Sequence, residues 1–185
     1  MDSLGRGCGP FPDDVHLQAI PGMSLRYMNS FLHRLDFNYS VFMILLGTND
    51  IHRTPIDDFV TAYRGFLRLI RRSSPGCVII VSTILPRITR NRSLDQNFDN
   101  ERAKLFSRAI EVVCQYEDTP VVRLTKLFLK AGVPRREFLE EDGLHLTPLG
   151  RRRLTHGLLN TVSDAGILRA QKGWRLAKDR TRSGK

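Results

Sequence analysis

The spacing of apolar positions along this 185-residue chain changes period repeatedly, and each change predicts an element. Val15 to Ile20 alternates apolar with polar, the period-2 signature of an edge strand. Pro21-Gly22 turns the chain, and Ser24 is placed to cap a helix carrying Leu25, Met28, Phe31, Leu32 and Leu35 on one face. Tyr39 to Leu46 is then almost continuously apolar, which predicts a strand covered on both faces. Thr54 as N-cap, Pro55 at N1 and Asp57 and Asp58 in the first turn open the next helix. Its stripe is Ile56, Phe59, Val60, Tyr63, Leu67 and Ile70, and Ser74-Pro75-Gly76 stops it.

The second half repeats the alternation. Cys77 to Leu85 predicts a third strand, rich in β-branched residues, and 87–100 an irregular polar loop. A helix over about 101–116 is expected to bury Leu105, Phe106, Ala109, Ile110 and Val113. Val121 to Leu124 predicts a weak fourth strand, and 127–141 a short helix plus loop. Thr147-Pro148 repeats the cap-and-N1 device ahead of a last helix through Leu154, Leu158 and Val162. Strands alternating with helices predict an α/β fold around a parallel sheet. In such sheets ligands bind where strands end at their carboxyl edges. Gly22, Asn49, the 87–100 loop and Asp142/His145 all fall on connections at that edge.

Composition bounds this picture without redirecting it. The length suits one domain, expected over residues 1–165, and no apolar run approaches the ~20 residues that span a bilayer. No secretory leader pattern opens the chain. Three widely spaced cysteines predict buried free thiols and a reducing, cytoplasmic setting, and no metal or redox pair is expected of them. The net charge of +10 is concentrated at one end: from Arg169 to Lys185 there are seven basic residues and one acid. A basic, disordered tail is therefore expected over 166–185. It suits weak, non-specific contact with nucleic acid or another polyanion, and equally a purely solubilising role.

Two stretches carry the chemistry. Gly47-Thr48-Asn49-Asp50 ends the second predicted strand, and Asp142-Gly143-Leu144-His145 sets a carboxylate three residues before an imidazole. Singly, each also suits a plain turn or a solvated loop, because Gly, Asn and Asp dominate turns. Together with Asp2-Ser3-Leu4 and the isolated Gly22, they stand in the order of the four blocks of the SGNH, or GDSL-type, hydrolases, which the chain resembles over about residues 1–163. The third and fourth blocks match as they stand.

That resemblance implies a three-layer α/β/α fold with a parallel sheet of flavodoxin-like winding, and a serine esterase that needs neither metal nor cofactor. Ser3 would be the nucleophile, His145 its base and Asp142 the group that orients the base. The backbone N–H groups of Ser3 and Gly22 and the amide of Asn49 would hold the oxyanion. A small-molecule ester would be the substrate. The family's first block follows a buried strand, whereas Met1 here occupies the position of that block's glycine. The expectation is thus a fold with its first strand absent and an impaired nucleophile. A second reading is a non-catalytic domain of the same fold, of the kind carried by some retroelements, binding a polyanion through a basic surface. His16, His33, His52 and His156 have no matching partner, though His52 is near enough to Asn49 in sequence to line a pocket. Arg87, Arg90 and Arg92 suit either an anionic substrate or a solvated loop.

Overall fold

The computed structural model describes residues 6–13, 16–88 and 96–163. Ser3, Arg90, Arg92 and the basic tail lie outside the described residues. A parallel three-stranded sheet is formed by β1 (Val41–Ile44), β2 (Val78–Ser82) and β3 (Val121–Val122), in that spatial order. The register pairs Val41 with Val78 and Val81 with Val121. Among the described residues four α-helices accompany it: α1 (Leu25–Phe31), α2 (Ile56–Ser73), α3 (Gln96–Tyr116) and α4, which runs from 148 to 163. Among the described residues no helix is long and apolar enough to cross a membrane.

The two faces of the sheet explain the continuous apolar run of β1. Ile44 and Leu46 pack with α1, α2 and α3 in a core containing Phe59, Tyr63, Leu67, Phe106 and Ile110. Met43 and Leu45 face the other way, into a second core with Leu124, Phe128, Phe138, Leu154 and Leu158. Alternate residues of one strand therefore bury into two layers, which is the three-layer α/β/α arrangement. Full burial of a side chain such as Phe59 stabilises by roughly 1.5–3 kcal/mol.

Several expectations need correction. Residues 16–20 form no strand, although the alternation is present. Alternation selects which side of a strand is buried, but a strand also needs a neighbouring backbone to pair with, and none among the described residues pairs with 16–20. Ser24 sits at the α1 N-cap position, yet its side chain caps nothing; the Asp50 carboxylate accepts the Leu25 N–H instead. Pro55, and not Thr54, is the α2 N-cap residue, because Thr54 turns its hydroxyl to Asp50.

α3 begins five residues earlier than expected, at Gln96. Its buried stripe is Ala103, Phe106, Ile110, Val113 and Cys114, while Leu105 is 47% exposed, on the outward side of the 3.6-residue period. The 127–141 segment holds a hairpin, β4 (Leu129–Lys130) with β5 (Val133–Pro134), between short 3-10 turns. Its two-residue turn is Ala131-Gly132, both at positive φ, as the tightest hairpins require.

Glu117, buried just past α3, accepts hydrogen bonds from Arg64, Arg68 and Arg71 along one face of α2 and so ties α2 to α3. The bonds from Arg68 and Arg64 hold its carboxyl below the ordinary glutamate value. The three cysteines are free; Cys114 is buried, and that burial pushes its thiol up to about 12, while Cys8 and Cys77 are half-buried.

Candidate active site

Asp142 and His145 lie on a tight hairpin whose legs meet at the Leu139–Leu146 bridge, both leucines being buried. The Glu140 N–H donates to the His145 carbonyl at 2.8 Å, and the Gly143 N–H to the Glu140 carbonyl at 2.9 Å. Asp142 Oδ1 accepts the backbone N–H groups of Leu144 and His145, each at 2.9 Å. Asp142 Oδ2 lies 2.5 Å from His145 Nδ1. An ionised carboxylate accepts only, so the neutral ring carries its proton on Nδ1 and presents Nε2 as a free base. Burial works against the Asp142 charge, but the hydrogen bonds from His145 and the two backbone N–H groups outweigh it and hold the carboxyl below its ordinary value.

That lowering has a stability consequence. A carboxylate with a depressed folded-state pKa contributes stability that is complete above the unfolded value of 3.8 and is lost as pH falls through the lower folded value. Acidification from pH 6 to pH 3 is therefore expected to lower the urea midpoint of the wild-type protein more than that of Asp142→Asn, and parallel unfolding curves check this.

Gly143 is the residue that seats the hairpin. It has φ of +67°, and a Cβ built there would stand 1.8 Å from the carbonyl oxygen of Ile88. The Ile88 N–H donates back to the Gly143 carbonyl at 2.8 Å. A backbone can approach that closely only where no side chain intervenes.

On the neighbouring strand end, Gly47 takes φ of +120° beside Ile84 and Phe59. Asn49 then directs its Nδ2 at the Met23 carbonyl, 2.9 Å away, which brings the third block against the Gly22 turn. An amide nitrogen carries two protons, so this bond uses one and leaves the other for a ligand. Gly22 itself has φ of +70°, and a Cβ there would meet nothing within 4 Å. Its glycine character is thus a backbone requirement in this structure and not a packing one.

Adjacent residues of the loop after β2 join the two blocks. The Arg87 guanidinium donates to the Thr48 carbonyl at 3.3 Å, and Ile88 holds Gly143. The Arg87 N–H is itself received by Asn100 Oδ1 at 3.2 Å. Arg87 therefore ties loops together, a role that neither sequence reading of this arginine anticipated. Asp50 does similar work below: both its oxygens receive the Leu25 N–H, at 3.2 and 3.1 Å, and Oδ1 also the Thr54 hydroxyl. Burial pushes its carboxyl up against the pull of these bonds. Asp50→Ala is expected to cost about 2–3 kcal/mol in urea unfolding, a lost cap plus a buried N–H left unpaired; Asp50→Asn, which keeps one acceptor oxygen, is expected to cost less.

Thr147 caps α4 as anticipated: its Oγ1 accepts the Gly150 N–H at 3.1 Å and donates to the Glu137 carbonyl. Of the remaining histidines, His16 packs against Tyr39 at 5.3 Å between ring centroids, and His52 and His156 are exposed. Among the described residues no group of three or more His, Cys, Asp or Glu converges to hold a metal ion.

The Asp142–His145 pair and the Asn49 amide held at Met23 thus sit on segments that Arg87 and Ile88 join, next to the loops leaving the carboxyl ends of β1 and β2, where α/β folds bind their ligands. The profile of the GDSL-like lipase/acylhydrolase family matches residues 2–153, and the chain belongs to that family. Solved structures of the same fold include a protein of Streptococcus pneumonia provisionally described as a platelet activating factor, with TM-score 0.68, 22% identity and coverage of 79% of this chain and 71% of that one. A GDSL-like lipase from Bacteroides thetaiotaomicron superposes with TM-score 0.65 at 14% identity, covering 80% and 75%. An acetylxylan esterase from Geobacillus stearothermophilus gives 0.61 at 16%, covering 77% and 69%. No curated protein matches the chain in sequence.

Proposed function

We infer that this chain is a serine esterase hydrolysing carboxylic esters through an acyl-enzyme. The observation that carries the inference is the 2.5 Å contact between Asp142 and His145 Nδ1, which leaves Nε2 free to take a proton. In the first half-reaction Ser3 Oγ attacks the ester carbonyl while His145 Nε2 removes the hydroxyl proton. The tetrahedral oxyanion accepts hydrogen bonds from the N–H groups of Ser3 and Gly22 and from the second proton of Asn49 Nδ2. His145 then returns the proton to the departing alcohol, and the acyl group stays on Ser3. In the second half water repeats the attack with the same base, releasing the carboxylic acid and restoring the serine.

The start of the described chain supports Ser3 as the nucleophile. The Gly9 N–H donates to Thr155 Oγ1 at 3.1 Å, and Gly7 lies against the side chain of Arg151. Arg151 belongs to the first turns of α4, the helix that starts three residues after His145. Ser3 precedes Gly7 by four residues, a span of at most ~14 Å.

A fluorophosphonate probe tests the reading directly. Covalent labelling is expected on the peptide containing Ser3, and it should vanish in both Ser3→Ala and His145→Ala. A label on any other residue, or none on the folded wild-type protein, would overturn it. Asn49→Ala is expected to reduce kcat for p-nitrophenyl acetate by about 10²–10³ with little change in KM, the usual result of deleting one oxyanion donor; steady-state kinetics separate the two parameters.

A further inference from the structure

A cavity of about 250 Å³ opens between α3 and the chain that leaves β2 and β3. It contains none of Gly22, Asn49, Asp142 or His145. Its walls are mainly apolar, from Ile84, Pro86, Ala103 and Leu129. Three hydroxyls lie in the lining and are already engaged. Ser107 Oγ accepts the Ile84 N–H, Thr83 and Thr125 share a hydrogen bond of 2.7 Å, and Thr125 Oγ1 also contacts the Ile84 carbonyl.

The charge around this apolar interior is one-sided. Lys104, Arg108, Arg123 and Lys126 line the cavity against a single carboxylate, Glu111. Glu111 is taken by Arg123 at 2.6 Å, and Lys104 is met by Glu101 from outside the cavity. Among the described residues Arg108 and Lys126 have no anionic partner, and one comes from α3 while the other comes from the turn after β3. Two uncompensated cations approaching an apolar cavity from two different elements are complementary to one kind of molecule. It is small, carries an anionic head and has an apolar body.

We propose that this cavity is a binding site for a short-chain aliphatic carboxylate, separate from the hydrolytic site. The apolar body lies along Ile84, Ala103 and Leu129, and the carboxylate is received by Arg108 and Lys126. The volume equals about eight waters, so hexanoate is of the right size while long-chain acids are not. The guanidinium of Arg108 offers a planar pair of donors to a carboxylate, and Lys126 adds a point charge. The site also adjoins the catalytic edge: Asn100, in its lining, receives the Arg87 N–H of the loop that carries Ile88.

The test uses the full chain, with hexanoate as ligand and hexanamide and inorganic phosphate as controls, at 50 and 300 mM salt. Titration is followed by amide chemical shifts in heteronuclear NMR. Hexanoate is expected to shift the amides of residues 83–86, 103–108 and 125–126, to bind at least tenfold more tightly than either control, and to weaken as salt rises. The double variant Arg108→Gln/Lys126→Gln is expected to lower hexanoate affinity at least tenfold. Both side chains are exposed and without an anionic partner among the described residues, so its melting temperature should equal that of the wild type. The proposal falls if hexanoate does not bind, or if hexanamide or phosphate binds as well. It also falls if the shifts map elsewhere, or if the folded double variant binds hexanoate like the wild type. None of these readouts requires hydrolysis, so the outcome is independent of whether Ser3 is the nucleophile.

Discussion

Replacing His145 with alanine is expected to reduce kcat/KM for p-nitrophenyl acetate by about 10⁶-fold, with no loss of folded protein. The ring is half exposed on the hairpin, so little packing is lost with it, whereas the proposed base disappears entirely. Ser3→Ala should cost about as much, and the double variant no more than either single one, because nucleophile and base act as a unit. Asp142→Asn is expected to lose only about 10⁴-fold, since an amide at that position still contacts the ring but favours the wrong tautomer. Melting temperature measured beside the kinetics separates chemistry from folding. If folded His145→Ala retained more than a hundredth of the wild-type rate, the assignment of the base would be wrong.

The second large effect is expected from a methyl group. Gly143→Ala puts a Cβ where only 1.8 Å separates it from the Ile88 carbonyl, on a backbone at φ of +67°. Left-handed backbone at a non-glycine residue costs roughly 1–2 kcal/mol, and the clash cannot be relieved by a side-chain rotation because the atom it meets is main chain. The hairpin must therefore part from the loop after β2, and the Ile88–Gly143 hydrogen bond goes with it. A loss of about 3 kcal/mol or more is expected, a fall in melting temperature on the order of 10 °C. Activity should fall further than the folded fraction does, since the same displacement moves His145 relative to Asn49. Differential scanning calorimetry and kinetics on one preparation give both numbers. An Ala variant with wild-type melting behaviour would show that the two loops are not in contact in solution.

Much of the architecture was readable from periodicity. The continuous run of β1 and β2 meant burial on both faces, and the two cores on either side of Ile44 and Leu45 show why. Thr147-Pro148 marked the start of α4 because capping is a local interaction between a hydroxyl and an N–H three residues on. The same device failed at Thr54-Pro55 and at Ser24, where Asp50 competes. That carboxylate lies 25 residues from the helix it caps, and nothing in the local pattern of α1 announces it. The alternation at 16–20 also misled, because a strand's existence depends on a partner as well as on its own sequence.

The sequence by itself determined which groups could do chemistry and in what order they occur: an acid three residues before a base, an asparagine after a buried strand, a glycine in a turn. It also determined the local bond geometry of Asp142 with Leu144 and His145, since an aspartate accepting N–H groups two and three residues on is a short-range motif. Only the tertiary structure decided how those groups meet. Asn49 finds Met23 across 26 residues, Arg87 finds Thr48 across 39, and Gly143 is pressed against Ile88 by packing that no local preference encodes. The cavity beside α3 belongs to the same category. Arg108 and Lys126 read as ordinary surface charges in the chain, and come to line one cavity only because α3 packs beside the chain leaving β2 and β3. Local geometry follows from bonded neighbours and short-range hydrogen bonds, whereas contacts between distant segments exist only once hydrophobic burial has offset the entropy of bringing them together.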